Sequence, residues 1–460
     1  MSEVLLARWQ FGITSTYHFL FVPLTLGLSI LLAIMETMYV RTGNPLYKKM
    51  TQFWGKLFLV NFAMGVVTGI VQEFHFGMNW AEYSRFMGDI FGAPLALEAL
   101  TAFFLESTFL GLWIFGWDRL SPRLHAACIW LVAFGSNLSA FWILVANSFM
   151  QSPAGYVIQN GRAEMVDFTA LLTNKYVWGQ FPHTLLAGLV TAGIFISAIS
   201  AYYLLKGRYQ DLAKASMQIS LTCLLVAALA TAASGHLQAQ YVGKQQPMKL
   251  AAIEALWESA DPAPFGIVAV IDEQAQKNTF EINVPAFLSL LVYDKPSGEI
   301  KGIKEMQLLS EQKYGPGNYI PQVTPLFWSF RIMAGAGVLM ILLGASGLWL
   351  WYRNKLAETP LYLKIMLWSL PLPYLANSCG WFVTEAGRQP WIVVGLQKVS
   401  QAASTNVTSA EIWFSMIGFT LIYGVLAMAA VYLTRKFILK GPDDAAAAVV
   451  PEEKEAVLWN

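Results

Sequence analysis

FGAPLALEALTAFFLESTFLGLWIFGW, residues 91–117, holds two carboxylates and no other charge. A helix needs roughly 20 largely apolar residues to cross a hydrocarbon core, so this stretch reads as a membrane span. Its anomaly is Glu98 and Glu106. An ionisable side chain in hydrocarbon is costly, and its presence there is a functional hypothesis by default. The two are eight residues apart, which places them on one helix face about 12 Å apart along the axis. That arrangement suits a proton relay; the competing reading is a pair of interhelical hydrogen bonds. The next apolar run contains GSNLSAFW (135–142). Its Ser136, Asn137 and Ser139 either extend a hydrated path or glue helices together.

The rest of the chain has the same character. Of 460 residues, 56% are hydrophobic and 13% charged, the composition of an all-α polytopic membrane protein. Net charge is +1, which gives nucleic-acid binding no electrostatic support. The length test predicts nine transmembrane helices, at 11–38, 52–72, 92–117, 125–147, 180–204, 214–234, 325–352, 362–384 and 410–434. No internal repeat stands out, and the first apolar run is too long for a cleavable signal peptide. Cys128, Cys223 and Cys379 each sit in an apolar run without a CxxC or CxxCH pattern. They read as small buried residues.

Lys and Arg set the orientation. They gather after the odd-numbered spans: Arg41, Lys48, Lys49 and Lys56; Arg119 and Arg123; Lys206, Arg208 and Lys214; Arg353, Lys355 and Lys364. The N-terminus is therefore expected outside and the C-terminus in the cytoplasm. The organisation expected is helices 1–6 in 1–234, a long outer-face loop in 235–324, helices 7–9 in 325–435, and a disordered cytoplasmic tail in 436–460. A loop of that length is functional or disordered. Within it, KLAAIEALWES (249–259) reads as a short amphipathic helix, either a lid or a substrate-binding segment.

The chain has five histidines. His18 and His183 are expected near the outer ends of inward-running spans, Arg331 and Met333 in the first turns of another, and Glu385 at the outer end of span eight, followed by Arg388. Imidazole at membrane depth points to a metal cofactor, and haem fits better than an iron–sulfur cluster in a chain with three cysteines. Each residue has a plainer alternative: an interfacial histidine, a core methionine, a simple Glu385–Arg388 ion pair. His75 and His125 read as structural, and His236 is given no role.

Six segments carry a resemblance: YHFLFVPLTLGLS (17–29), FWGKLFLVNFAMGVVTGI (53–70), FGAPLALEALTAFFLESTFLGLWIFGWDRL (91–120), KLAAIEALWE (249–258), FRIM (330–333) and GWFVTEAGRQPW (380–391). Together they resemble subunit I of cytochrome bd-type quinol oxidases, over about 430 residues. The resemblance implies oxidation of a membrane quinol coupled to reduction of dioxygen to water. It implies a low-spin haem b, a high-spin haem b and a haem d in this chain. It also implies a second large subunit, with small single-helix subunits as further partners. His183 and Met333 match the low-spin axial ligands, with Arg331 beside them. His18 and Glu385 match ligands of the two high-spin haems, without fixing which holds which, and Arg388 fits the arginine next to that pair. Glu98 and Glu106 match carboxylates near haem d, and Ser139 a polar residue of a proton path. Lys249 and Glu254 match the quinol-binding loop, here of the short kind.

Two rival classes remain. A haem b electron-transfer subunit without oxygen chemistry needs pairs of buried histidines, for which the chain has too few. A proton-coupled transporter expects inverted repeats and broken helices, and neither is visible in the sequence.

Overall fold

The computed structural model describes residues 2–442. Among them, eight helical segments are long and apolar enough to cross a membrane. The first is broken into α1 (Glu3–Phe19) and α2 (Val22–Thr42). Pro23, in the first turn of α2, has no N–H to continue the ladder. Gly43, at φ 66°, stops α2. Asn44 then caps α3 (Pro45–Met78) by accepting from the Leu46 N–H at 2.9 Å. The third span comprises α4 (Ala81–Leu97), a π-helical turn at Glu98–Phe103, and α5 (Phe104–Phe115). α6 (Pro122–Gln151) follows, then a hairpin of β1 (Tyr156–Gln159) and β2 (Arg162–Met165), and the short α7 (Phe168–Leu172).

α8 (Lys175–Leu205) is the most enclosed span, and α9 (Gln210–Gln245) packs along it. α2 crosses α8 at bare backbone. A Cβ on Gly27 would lie 2.1 Å from the Gly188 carbonyl oxygen, so only glycine permits this approach. Trp54, Phe53, Phe58 and Tyr203 fill the space between α3, α8 and α9.

The connection after α9 is folded. It contains α10 (Pro247–Glu254), an antiparallel hairpin of β3 (Phe265–Asp272) and β4 (Lys277–Val284), α11 (Phe287–Tyr293) and α12 (Ile303–Tyr314). α9 itself runs to Gln245, past the predicted end at 234. α13 (Val323–Tyr352) then re-enters the bundle.

The predicted span 362–384 is not one continuous helix. It is α14 (Pro360–Trp368) and α15 (Leu372–Ala386), separated at Ser369–Pro371. Pro371 and Pro373, two residues apart, remove two donors from a single turn, and the helix breaks there. A hairpin of β5 (Trp391–Val393) and β6 (Gln397–Lys398) leads to α16 (Ser409–Lys440), opened by a Thr408–Glu411 capping box. The tail predicted from 436 is thus helical through Lys440, and its remainder beyond 442 lies outside the described residues. The three cysteines are unbridged; Cys128 is buried, while Cys223 and Cys379 are only half-buried.

Candidate functional site

The carboxylate line is shaped by its own backbone. At 3.6 residues per turn, eight residues leave two side chains about 80° apart around the axis. The π turn that begins at Glu98 is wider, so its phase lags and closes that offset. Both carboxylates consequently meet α6. Ser139 donates to Glu98 Oε1 at 2.7 Å, and Ser136, one turn away, donates to Glu106 Oε1. Glu106 is buried and Glu98 half-buried. Asn137 turns away and donates to the Ala133 carbonyl within α6. Sequence reading missed Glu73, a third carboxylate, which α3 carries in the neighbourhood of Glu98.

The two candidate imidazoles are held alike. His18 Nδ1 meets Thr68 Oγ1 at 2.9 Å, and His183 Nδ1 meets Ser234 Oγ at 2.9 Å. A histidine anchored at one ring nitrogen presents the other to a metal, and here that nitrogen is Nε2. Glycines face both rings: a Cβ on Gly69 would lie 3.1 Å from His18 Cε1, and one on Gly235 3.3 Å from His183 Cε1. α1 begins at Glu3, eight residues before the predicted start, and His18 lies in its last turn, beside the break before α2.

Met333, on α13, packs against α15, where a Cβ on Gly380 would come within 2.9 Å of its sulfur. Arg331, two residues earlier, points into the folded connection. It donates to the carbonyls of Ile253 (2.6 Å) and Gly266 (2.6 and 3.0 Å) and to Glu254 Oε2 (2.6 Å). Its guanidinium also lies 3.7 Å from the Phe327 ring centroid.

Glu254 and Lys249 are not surface residues, as their polar loop implied. They are 6% and 3% exposed on a helix buried all round, which also corrects the amphipathic reading of 249–259. Lys249 Nζ donates to Gln151 Oε1 (2.7 Å), to the Thr384 carbonyl (3.1 Å) and to the Tyr176 hydroxyl (3.2 Å). Burial pushes its amine down to about 7, against the raising pull of Glu385. Burial pushes the Glu254 carboxyl up, opposed by Arg331.

Glu385 is held from three sides. Asn147 donates to Oε1 at 2.9 Å, Gln151 donates to the same oxygen at 3.3 Å, and Arg388 pairs with Oε2. Arg388 also donates to the Ile392 carbonyl at 2.6 Å. The chain Lys249–Gln151–Glu385–Arg388 therefore joins the connection to the bundle. Asn147 and Gln151 were legible as a polar i, i+4 pair in WILVANSFMQ (142–151), but their partners were not.

The donor set fits haem. Among the described residues, no three or more His, Cys, Asp or Glu gather into a metal cluster. The candidate ligands instead stand singly on α1, α8, α13 and α15, as suits an iron whose equatorial donors come from a porphyrin. Of the remaining histidines, His125 is structural: Nδ1 binds Glu36 and Nε2 meets the Trp113 carbonyl at 2.8 Å. His236 meets Asp294 at 3.0 Å.

Known proteins are similar to this chain in sequence and in fold. "Cytochrome bd ubiquinol oxidase subunit 1" of Bacillus subtilis (strain 168) is 53% identical over 444 residues, 96% of this chain and 95% of that protein. "Cytochrome bd-II ubiquinol oxidase subunit 1" of Escherichia coli (strain K12) is 44% identical over 496 aligned positions, 95% of this chain and 96% of the other. The fold superposes on bd oxidase from Geobacillus thermodenitrificans with a TM-score of 0.87 at 26% identity, covering 96% of this chain and 99% of that one. The sequence matches the family described as cytochrome bd terminal oxidase subunit I over residues 6–442, and the chain belongs to that family.

Proposed function

We propose that this chain is the haem-bearing subunit of a terminal respiratory oxidase, a quinol:oxygen oxidoreductase that oxidises membrane quinol and reduces dioxygen to water. The observation that carries the reading is how α10 is tied in. Its Glu254 is bound by Arg331, two residues from Met333, and its Lys249 is linked through Gln151 to Glu385. A donor site on α10 is thereby wired to two helices that bear candidate haem ligands.

In this reading His183 and Met333 would hold a low-spin haem b, and His18 and Glu385 would hold a high-spin haem b and a haem d. When bound, the haems supply one-electron transfer and oxygen activation. The protein's own part is proton handling. Glu254, whose burial raises its carboxyl, accepts a hydroxyl proton from the quinol while Lys249 polarises the other oxygen. Arg331 keeps Glu254 in place, and Arg388 keeps Glu385 oriented. Glu106 and Glu98, each held by a serine of α6, form a carboxylate line for protons drawn from the cytoplasm. Quinol protons leave on the outer face, where the Lys and Arg distribution puts the long connection. Proton motive force then arises from vectorial uptake and release without a pump. A second large subunit and small single-helix subunits complete the assembly in the prokaryotic plasma membrane.

The test is oxygen uptake by the purified assembly supplied with quinol. The reading expects oxygen consumption in step with quinol oxidation. Haems that quinol reduces, in a preparation that consumes no oxygen, mark an electron-transfer subunit and sink the proposal.

A further inference from the structure

α1, α3 and α16 meet along a polar seam that no role so far described uses. On α3 and its C-cap, Thr68, Gln72, His75 and Asn79 recur at i, i+4, i+7 and i+11, one stripe of the helix. Its lower end is closed by His18 Nδ1 on Thr68 Oγ1 at 2.9 Å. Its upper end is closed by Asn79, which donates to Gln10, whose own amide donates to Ser415 Oγ at 2.9 Å. Between them the seam is not closed. His75 is fully buried, and among the described residues neither ring nitrogen has a hydrogen-bond partner. Gln72 Nε2 and the Tyr423 hydroxyl are likewise buried; they lie beside each other as a loose pair, and neither has a further partner among the described residues. Ser15 donates to Gln72 Oε1 at 2.9 Å, which anchors one end of the amide and leaves its other end toward Tyr423. The aromatic rings of Phe11 and Phe419 pack against the imidazole, at 5.9 and 5.4 Å between centroids.

Buried polar atoms are almost always paired, with protein or with water. Seven residues of helix separate Thr68 from His75, about 10 Å, too far for direct bonding and suited to a file of two or three waters at hydrogen-bond spacing. We propose that this seam binds a short file of internal water molecules, held by Gln72, His75 and Tyr423, that joins the His18–Thr68 pair to the Asn79–Gln10–Ser415 cluster at the far end of the helices. The water site stands on these side chains alone. Its use, as a route for product water or protons between the His18 haem and the surface, rests on the reading of His18 as a ligand.

The test is a density map of the assembled oxidase that resolves internal waters, with thermal unfolding of His75→Leu and His75→Gln beside it. Density is expected within hydrogen-bond distance of the His75 ring nitrogens and Gln72 Nε2. His75→Leu is expected to lower the unfolding midpoint, because it strips partners from bound water. His75→Gln, which keeps a donor and an acceptor, is expected to restore it. A dry seam in a map that shows waters elsewhere overturns the proposal. So does a midpoint raised by His75→Leu, the response of an unpartnered buried imidazole that gains by becoming apolar. If His18→Ala keeps every haem, the use assigned to the file fails while the water site is still judged by the map.

Discussion

Glu254→Gln isolates the charge of the α10 carboxylate from its volume. Removing one partner of a buried ion pair generally costs about 3–5 kcal/mol. Here Arg331 keeps the Ile253 and Gly266 carbonyls and the Phe327 face, which places the loss near the low end. At 1.4 kcal/mol per tenfold, a loss of about 3 kcal/mol in docking α10 is roughly 10²-fold, which applies in full to Glu254→Ala; Glu254→Gln keeps an acceptor for Arg331 and loses less of the docking. Loss of general-base help falls in the same range, about 10²–10⁴-fold. Glu254→Gln and Glu254→Ala should therefore both lower quinol oxidation at least about tenfold. The assay compares quinol turnover with oxygen reduction driven by an artificial donor that bypasses the site, which should continue normally. The pair of variants separates the two causes. If Glu254 is a base, Gln and Ala are equally impaired; if it is only a strut for Arg331, Gln recovers much of the activity. Wild-type turnover in Glu254→Gln refutes the base assignment. A matching fall with both donors refutes the donor site itself.

Four further expectations follow from the same geometry. Met333→Leu keeps the volume but removes the thioether, and should turn the low-spin b signal high-spin or lower its midpoint potential; an unchanged signal excludes Met333 as a ligand. Gly380→Ala should disturb the same signal more mildly, since its Cβ would sit 2.9 Å from the Met333 sulfur, and redox titration reads it. Glu106→Gln should leave quinol binding intact while strongly slowing oxygen reduction, and normal turnover with normal charge translocation counts against an obligatory role. Lys249 has its folded pKa lowered to about 7, below the ordinary lysine value near 10.4. Above about 7 the folded chain has shed a proton that the unfolded chain still holds, so stability should rise with pH from there toward 10 and be flat below. Unfolding midpoints across that range should lose the slope in Lys249→Met.

The membrane spans were legible because length and apolarity are summed over about 20 residues, which single exceptions cannot hide. Interruptions were less legible, though Pro23, Pro371 and Pro373 advertised them. The π turn at Glu98 left no mark in the sequence, and it determines that both carboxylates reach α6. The candidate site residues were chosen by type and resemblance, and their surroundings were not legible. Lys249 and Glu254 looked exposed because their neighbours in sequence are polar. Their burial is set by Gln151 and Arg331, 98 and 77 residues away, which no local pattern reports. His75 read as an ordinary structural histidine because a sequence shows apolar surroundings but not the partners missing from them.

The central claim is that this fold holds three haems serving oxygen reduction. The most direct measurement is the haem content of the purified assembly, extracted and separated by type, with a reduced-minus-oxidised optical spectrum of the same sample. The account predicts two haem b and one haem d for each copy of this chain, with a far-red band from haem d beside the b bands. A preparation holding haem b alone, all of it low-spin, contradicts it.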